Sequence, residues 1–160
     1  MSRSTVLKPP SPLPETIDRP SVFLAGAIDL SAAEDWQREA ELALAEEDAI
    51  LFNPRRDYFD PSWPQRADFP PFAEQVNWEL DALERAGVVA RYFPVGSKAP
   101  ISFLEFGLYA RSERLVVAAP EGFYRRGNLE ITALRYGIPL FESLSELVSE
   151  VRARIRSGRA

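Results

Sequence analysis

The sequence predicts an α/β fold: a five-stranded parallel sheet with helices on both faces. Three observations predict it. Short apolar runs that read as buried strands alternate with stretches of helical period, which is the pattern of strand–helix repeats. Proline and glycine punctuate these segments at helix starts and ends, with Pro71 at one start and Gly87 and Gly137 at two ends. The chain has 160 residues, enough for one domain with a core of ordinary size.

Residues 1–20 carry Pro9, Pro10, Pro12, Pro14 and Pro20 among Ser and charged residues. This composition cannot pack a core and reads as a loosely attached arm, with residues 21–157 forming a single domain. An arm that crosses a neighbouring subunit is the functional alternative. Residues 21–28 form the first strand, which ends in a small-residue turn. Gly26 there either lets a ligand approach the backbone or serves the turn. Asp29 follows, and Ser31-x-x-Glu34 fits a capping box. A helix to about Glu47 would bury Trp36, Ala40, Ala43 and Leu44.

Ala49-Ile50-Leu51-Phe52 is the second strand. Residues 53–71 show neither period and hold five prolines with Tyr58, Phe59, Trp63 and Phe69. So long a loop reads as a packed lid or as a plug at one end of the sheet. Phe72, Val76, Leu80 and Leu83 then recur at helical spacing, and Gln75 and Glu79, four apart, share a face. Val88 to Phe93 is the third strand and 101–111 a helix. Leu115-Val116-Val117-Ala118-Ala119 is the fourth strand. A helix over 128–136 leads to the last strand, 138–141, whose proline places it at an edge. Ser143 and Ser145 cap the final helix, 144–156, whose arginines complement its dipole. Right-handed crossovers give the strand order 2-1-3-4-5 of flavodoxin-like (Rossmann-like) folds. The switch point then lies between the first and third strands, beside Ala25-Gly26-Ala27 and the loop before Glu105.

With 19 basic and 24 acidic residues the net charge is −5, which argues against a nucleic-acid groove. There is no Cys and no His, which removes disulfides, thiolate metal sites and the usual neutral-pH base. No metal or cofactor is expected. No apolar run is long enough to span a membrane and no signal-peptide core is seen, so the expected location is cytoplasmic.

The stretch Pro100-Ile101-Ser102-Phe103-Leu104-Glu105-Phe106-Gly107-Leu108 follows the third strand. Its apolar spacing places Glu105 in the first turn of a helix, where ligands bind in open α/β sheets and the dipole favours a carboxylate. One carboxylate can act as a nucleophile while a second carboxyl, kept protonated by burial, donates a proton to a leaving group. Glu79 and Glu105 suffice for such chemistry in a His-free chain. The plainer alternatives are a favourable helix-terminal charge for Glu105 and a solvated helix residue for Glu79.

Phe23-Leu24-Ala25-Gly26, Asn77-Trp78-Glu79, Leu104-Glu105-Phe106-Gly107 and Gly127-Asn128-Leu129 occur in an order that resembles the nucleoside 2-deoxyribosyltransferase-like family over about residues 21–141. The resemblance implies that Glu105 is the nucleophile, that Glu79 handles the proton on the base, and that Asn128 reaches the sugar hydroxyls, in some members in a neighbouring subunit's site. It implies transfer of a 2-deoxyribosyl group between nucleobases through a glycosyl-Glu105 intermediate, in a homo-oligomer. The alternatives are hydrolysis of a nucleoside 5′-monophosphate by the same nucleophile, or a non-catalytic nucleotide-binding module. The chain departs from the family at Ala99 and Gly87, where relatives carry Asp, and Ser102 is the nearest polar substitute. Gly26, Asn53, Asp57, Ser102 and Asn128 are the candidate substrate-binding residues. Tyr58 and Trp63 offer ring faces for a base or a core for the loop. Arg55, Arg56 and Asp57 meet the base edge or one another.

Overall fold

The computed structural model describes residues 3–28 and 35–160. The predicted capping box at Ser31 and Glu34, and Asp29, lie outside the described residues. The strands are β1 (Thr5–Leu7), β2 (Ser21–Gly26), β3 (Ile50–Phe52), β4 (Val88–Tyr92), β5 (Leu115–Ala118) and β6 (Leu140–Phe141). They form one sheet in the order β1-β3-β2-β4-β5-β6, with every neighbouring pair parallel. The helices are α1 (Trp36–Ala43), α2 (Pro70–Arg85), α3 (Pro100–Tyr109), α4 (Arg126–Tyr136) and α5 (Leu144–Arg156).

The sheet thus has six strands and not the expected five. The five anticipated strands keep the order 2-1-3-4-5, and the added edge strand comes from the proline-rich arm. Thr5, Val6 and Leu7 suit a pleated surface and pair in register with Ile50, Leu51 and Phe52. The arm is also fastened beyond its strand. Trp78 Nε1 donates to the Ser11 carbonyl at 2.8 Å and Arg85 Nη1 to the Pro14 carbonyl at 2.8 Å. Leu13 and Ile17 pack on the core. Three β-forming residues and a few apolar anchors outweigh the prolines around them.

Period-two alternation sorts the strand residues onto two faces. On one face Phe23, Ala25, Val89, Phe93 and Val117 meet α2, α3 and α4 through Trp78, Leu83, Phe106 and Leu129. On the other Val22, Leu24, Val88, Ala90 and Val116 meet α1 and α5 through Trp36, Ala40, Leu147 and Val151. The buried stripes differ locally from the expected ones. In α1 the expected Ala43 is exposed, while Gln37 and Glu41 are buried. In α2 the buried residues are Gln75, Trp78, Ala82 and Leu83, whereas Val76 is exposed. In α3, Leu104 and Leu108 face outward and Ser102, Glu105 and Phe106 face inward.

Two glycines also serve other ends than expected. The last cap of α2 is Ala86 in extended backbone, so Gly87 is not a left-handed stop. A Cβ on Gly87 would collide with the Ala160 backbone. Its role is close packing against the chain's end. Gly137 does cap α4, at φ 66°. Of the two expected caps, Ser143 is the N-cap of α5, its Oγ accepting from the Glu146 backbone in a capping box, whereas Ser145 lies inside the first turn.

Candidate active site

The site is built from one strand and two helices on one face of the sheet. Alternation along β4 turns Arg91 toward α2 and α3, between Ala25 of β2 and Val117 of β5 in register. Those neighbours leave room for a long side chain. Arg91 has no exposed surface. A buried guanidinium requires a counter-charge, and α3 supplies it. Arg91 Nη2 donates to Glu105 Oε2 at 2.7 Å, and the Glu105 side chain is 9% exposed. Arg91 Nε and Nη1 have no hydrogen-bond partner among the described residues. Glu105 Oε1 likewise accepts no hydrogen bond there.

Glu105 sits in the second turn of α3, because the helix begins at Pro100. The expected first-turn placement is therefore corrected. The dipole effect fades beyond the first turn, and Arg91 provides the favourable charge in its place.

Glu79 joins this pair from α2. Its Oε1 accepts from Gln75 Nε2 at 2.5 Å, and the same amide nitrogen donates to the Pro54 carbonyl at 2.8 Å. Burial pushes the Glu79 carboxyl up to about 7. The Gln75 hydrogen bond and the Arg91 charge oppose the rise, and the negative Glu105 adds to it. Tyr109, one turn beyond Glu105, is raised chiefly by burial and then by Glu84, with Arg114 stacked on its ring at 5.1 Å. One carboxyl raised by burial and a second carboxyl ion-paired to a guanidinium thus meet in one layer, the arrangement that acid–nucleophile division needs.

The other predicted residues fall in different places. Gly26 ends β2, and a Cβ there would lie 2.7 Å from both Trp36 Cζ2 and the Tyr92 carbonyl oxygen. Asn53 is buried, donating to Glu41 Oε1 at 2.6 Å and accepting from the Arg55 backbone at 2.9 Å. Ser102 is buried on the inner side of α3. Asp57 is exposed and pairs with Lys8 at 3.2 Å. Asn128 is exposed on the first turn of α4 and lines a shallow cleft with Phe103, Tyr124 and Arg125. A second cleft lies between the arm and the long loop, lined by Lys8, Pro9, Pro10, Ser11, Arg56, Asp57 and Tyr58. Neither cleft is lined by Glu79 or Glu105. Glu79 and Glu105 come together, whereas Asn53, Asp57 and Asn128 do not contact either.

The loop over residues 53–69 forms an aromatic cluster. Tyr58, Phe59 and Phe69 surround Trp63, and Arg56 lies over the Trp63 ring at 5.4 Å. Arg56 also bonds Glu74 of α2 at 2.9 Å. Arg55 pairs with Asp35 and Gln37. Of the paired arginines at the start of α4, Arg126 is committed to the Ala119 carbonyl and to Glu130, while Arg125 stays exposed against Tyr124.

Sequence reasoning missed Arg91, whereas the shared face it gave Gln75 and Glu79 is the one on which they bond. The signal for Arg91 was present: a lone arginine in an apolar strand of a parallel sheet is buried on both faces and so demands an acid partner.

Comparison with known proteins completes the picture. No curated protein matches the chain. The crystal structure of a conserved protein from Enterococcus faecalis V583 superposes with a TM-score of 0.56 at 11% identity, covering 85% of this chain and 99% of that one. At that identity the likeness concerns the fold. The model of the family described as nucleoside 2-deoxyribosyltransferase like matches residues 19–123, a span that contains Glu79, Arg91 and Glu105 and stops short of Asn128. The chain therefore belongs to the nucleoside 2-deoxyribosyltransferase-like family.

Proposed function

We propose that the protein transfers a 2-deoxyribosyl group between nucleobases, with Glu105 as nucleophile and Glu79 as acid and base. The observation that carries this reading is the convergence of Glu79 and Glu105 on Arg91 near the carboxyl end of β4, where open α/β sheets bind ligands. One Glu105 oxygen is anchored by Arg91, and the other accepts no hydrogen bond among the described residues. In the first displacement the free oxygen bonds to C1′ while the C1′–N bond breaks. The electron pair goes to the base nitrogen, which takes the proton from Glu79. The second base reverses each event, returns a proton to Glu79 and frees Glu105. Two displacements retain configuration at C1′.

Hydrolysis of a nucleoside 5′-monophosphate is the second reading. It is favoured by the exposed Arg125 beside Asn128 in the cleft at the start of α4, where a phosphate would find a cation and a helix terminus. A homo-oligomer belongs to the same proposal. Ile101, Leu104 and Leu108 on α3 and Ile131 and Leu134 on α4 are between 59% and 87% exposed, an apolar surface of the kind that subunits cover. Among the described residues no helix is long and apolar enough to cross a membrane.

The test is incubation with a deoxynucleoside and a different free base. Exchanged nucleoside appears with the native chain and not with Glu105→Gln. Release of free base from a nucleoside 5′-monophosphate, with no exchange, selects the hydrolase. No glycosidic cleavage with either substrate refutes both readings.

A further inference from the structure

The cluster holds two carboxyls and one guanidinium between the sheet and two helices, with Arg91 fully buried and Glu79 half-buried. We propose that Arg91 is a positioning residue that assigns their roles, making Glu105 the charged member and leaving the proton to Glu79. The inference rests on the glycosyl-transfer reading for its use, but its physical content does not require turnover.

Arg91 has no exposed surface, so it cannot touch a substrate and must act through what it holds. It holds Glu105, at 2.7 Å. The hydrogen bond to Glu79 comes instead from a neutral amide, Gln75 Nε2, at 2.5 Å. The Pro54 carbonyl, accepting from the same nitrogen at 2.8 Å, fixes which end of that amide faces Glu79. The groups that act on Glu79 are Gln75 on its own helix, Glu105 on α3 and Arg91 on β4. Tyr109 on α3 completes the set around Arg91, and Glu84 and Arg114 act on Tyr109 in turn. Two carboxylates near one cation in a partly buried layer cannot both stay charged at low cost. The one with the ion pair keeps its charge, and the other takes the proton. The nucleophile and the loaded acid then coexist in one pH range. A neutral residue at position 91 would leave the two carboxyls competing for one proton, with coupled titrations belonging to the pair.

The experiment is a carbon-13 NMR titration of the glutamate carboxyls in the full chain, assigned with Glu79→Gln and Glu105→Gln. In the native chain, one proton-uptake step of the pair occurs near pH 7, at Glu79. In Arg91→Met the Glu79 step moves up from that position, because Arg91 no longer opposes the rise. The acid limb of single-turnover glycosyl transfer rises by about one pH unit or more. Arg91→Lys restores the native pattern. Should Arg91→Met fail to fold, Glu105→Gln supplies the second arm. It removes the like charge and frees Arg91 for Glu79, so the Glu79 midpoint falls by about one unit or more. A Glu79 midpoint unchanged in Glu105→Gln, or a native pattern retained in Arg91→Met, overturns the proposal. Because the titrations need no substrate, they distinguish failure of this assignment from failure of the transferase reading.

Discussion

Replacing Glu79 with Gln should make the protein more stable at pH 8 and leave it unchanged at pH 5. Glu79 titrates at about 7 in the folded chain against an ordinary 4.5, chiefly because it is buried. Between those two values the folded state binds the proton and the unfolded state does not. Unfolding free energy therefore falls as pH rises through that window and levels off above it. Stability linked to this group is complete below pH 4.5 and lost as pH passes 7. At about 1.4 kcal/mol per pH unit the full difference corresponds to about 3 kcal/mol. Residual exposure of the side chain reduces this to roughly 1.5–3 kcal/mol. The Gln side chain keeps an oxygen for the Gln75 amide and carries no charge at any pH. Urea unfolding of both proteins at pH 5, 6, 7 and 8 measures the effect, with similar slopes required for the comparison. Equal curves at pH 5 that diverge toward pH 8, with the variant above, are expected. A difference independent of pH, or a native chain that gains stability between pH 5 and 8 relative to the variant, refutes the reasoning.

Three further outcomes follow from named contacts. Glu105→Ala strands the buried Arg91 charge and should cost about 3–5 kcal/mol in chemical denaturation. Gly26→Ala drives a methyl into Trp36 and the Tyr92 carbonyl and should cost about 1–3 kcal/mol, read as a lowered melting temperature. Deletion of residues 2–12 removes β1 and the Ser11 acceptor of Trp78, so β3 becomes a bare apolar edge. Lower thermal stability and concentration-dependent light scattering are expected, and an unaltered melt would show that the arm is dispensable.

The local pattern made five strands, their order and two carboxylates legible. Buried parallel strands are continuous apolar runs, and right-handed crossovers leave few ways to order them. The cap at Ser143 and the stop at Gly137 were legible for the same reason: their causes lie within a few residues of sequence. The family motifs then singled out Glu79 and Glu105.

What the tertiary structure alone decided is which partners these side chains meet. Thr5, Val6 and Leu7 are too few to announce a strand among prolines, and their ladder exists only because β3 offers an open edge. Gly87 looked like a helix stop because its real neighbour, Ala160, is distant in sequence. Leu104 and Leu108 obeyed helical spacing yet face outward, since period fixes a shared face and not which face is buried. Glu79 owes its proton affinity chiefly to burial, with Glu105 of α3 adding to it and Gln75 of α2 and Arg91 of β4 opposing it. Arg91, read as one more strand residue, became the counter-charge of Glu105 only when β4 and α3 were laid side by side. Periodicity is a short-range property of the chain, whereas burial and charge pairing are set by elements that meet across it.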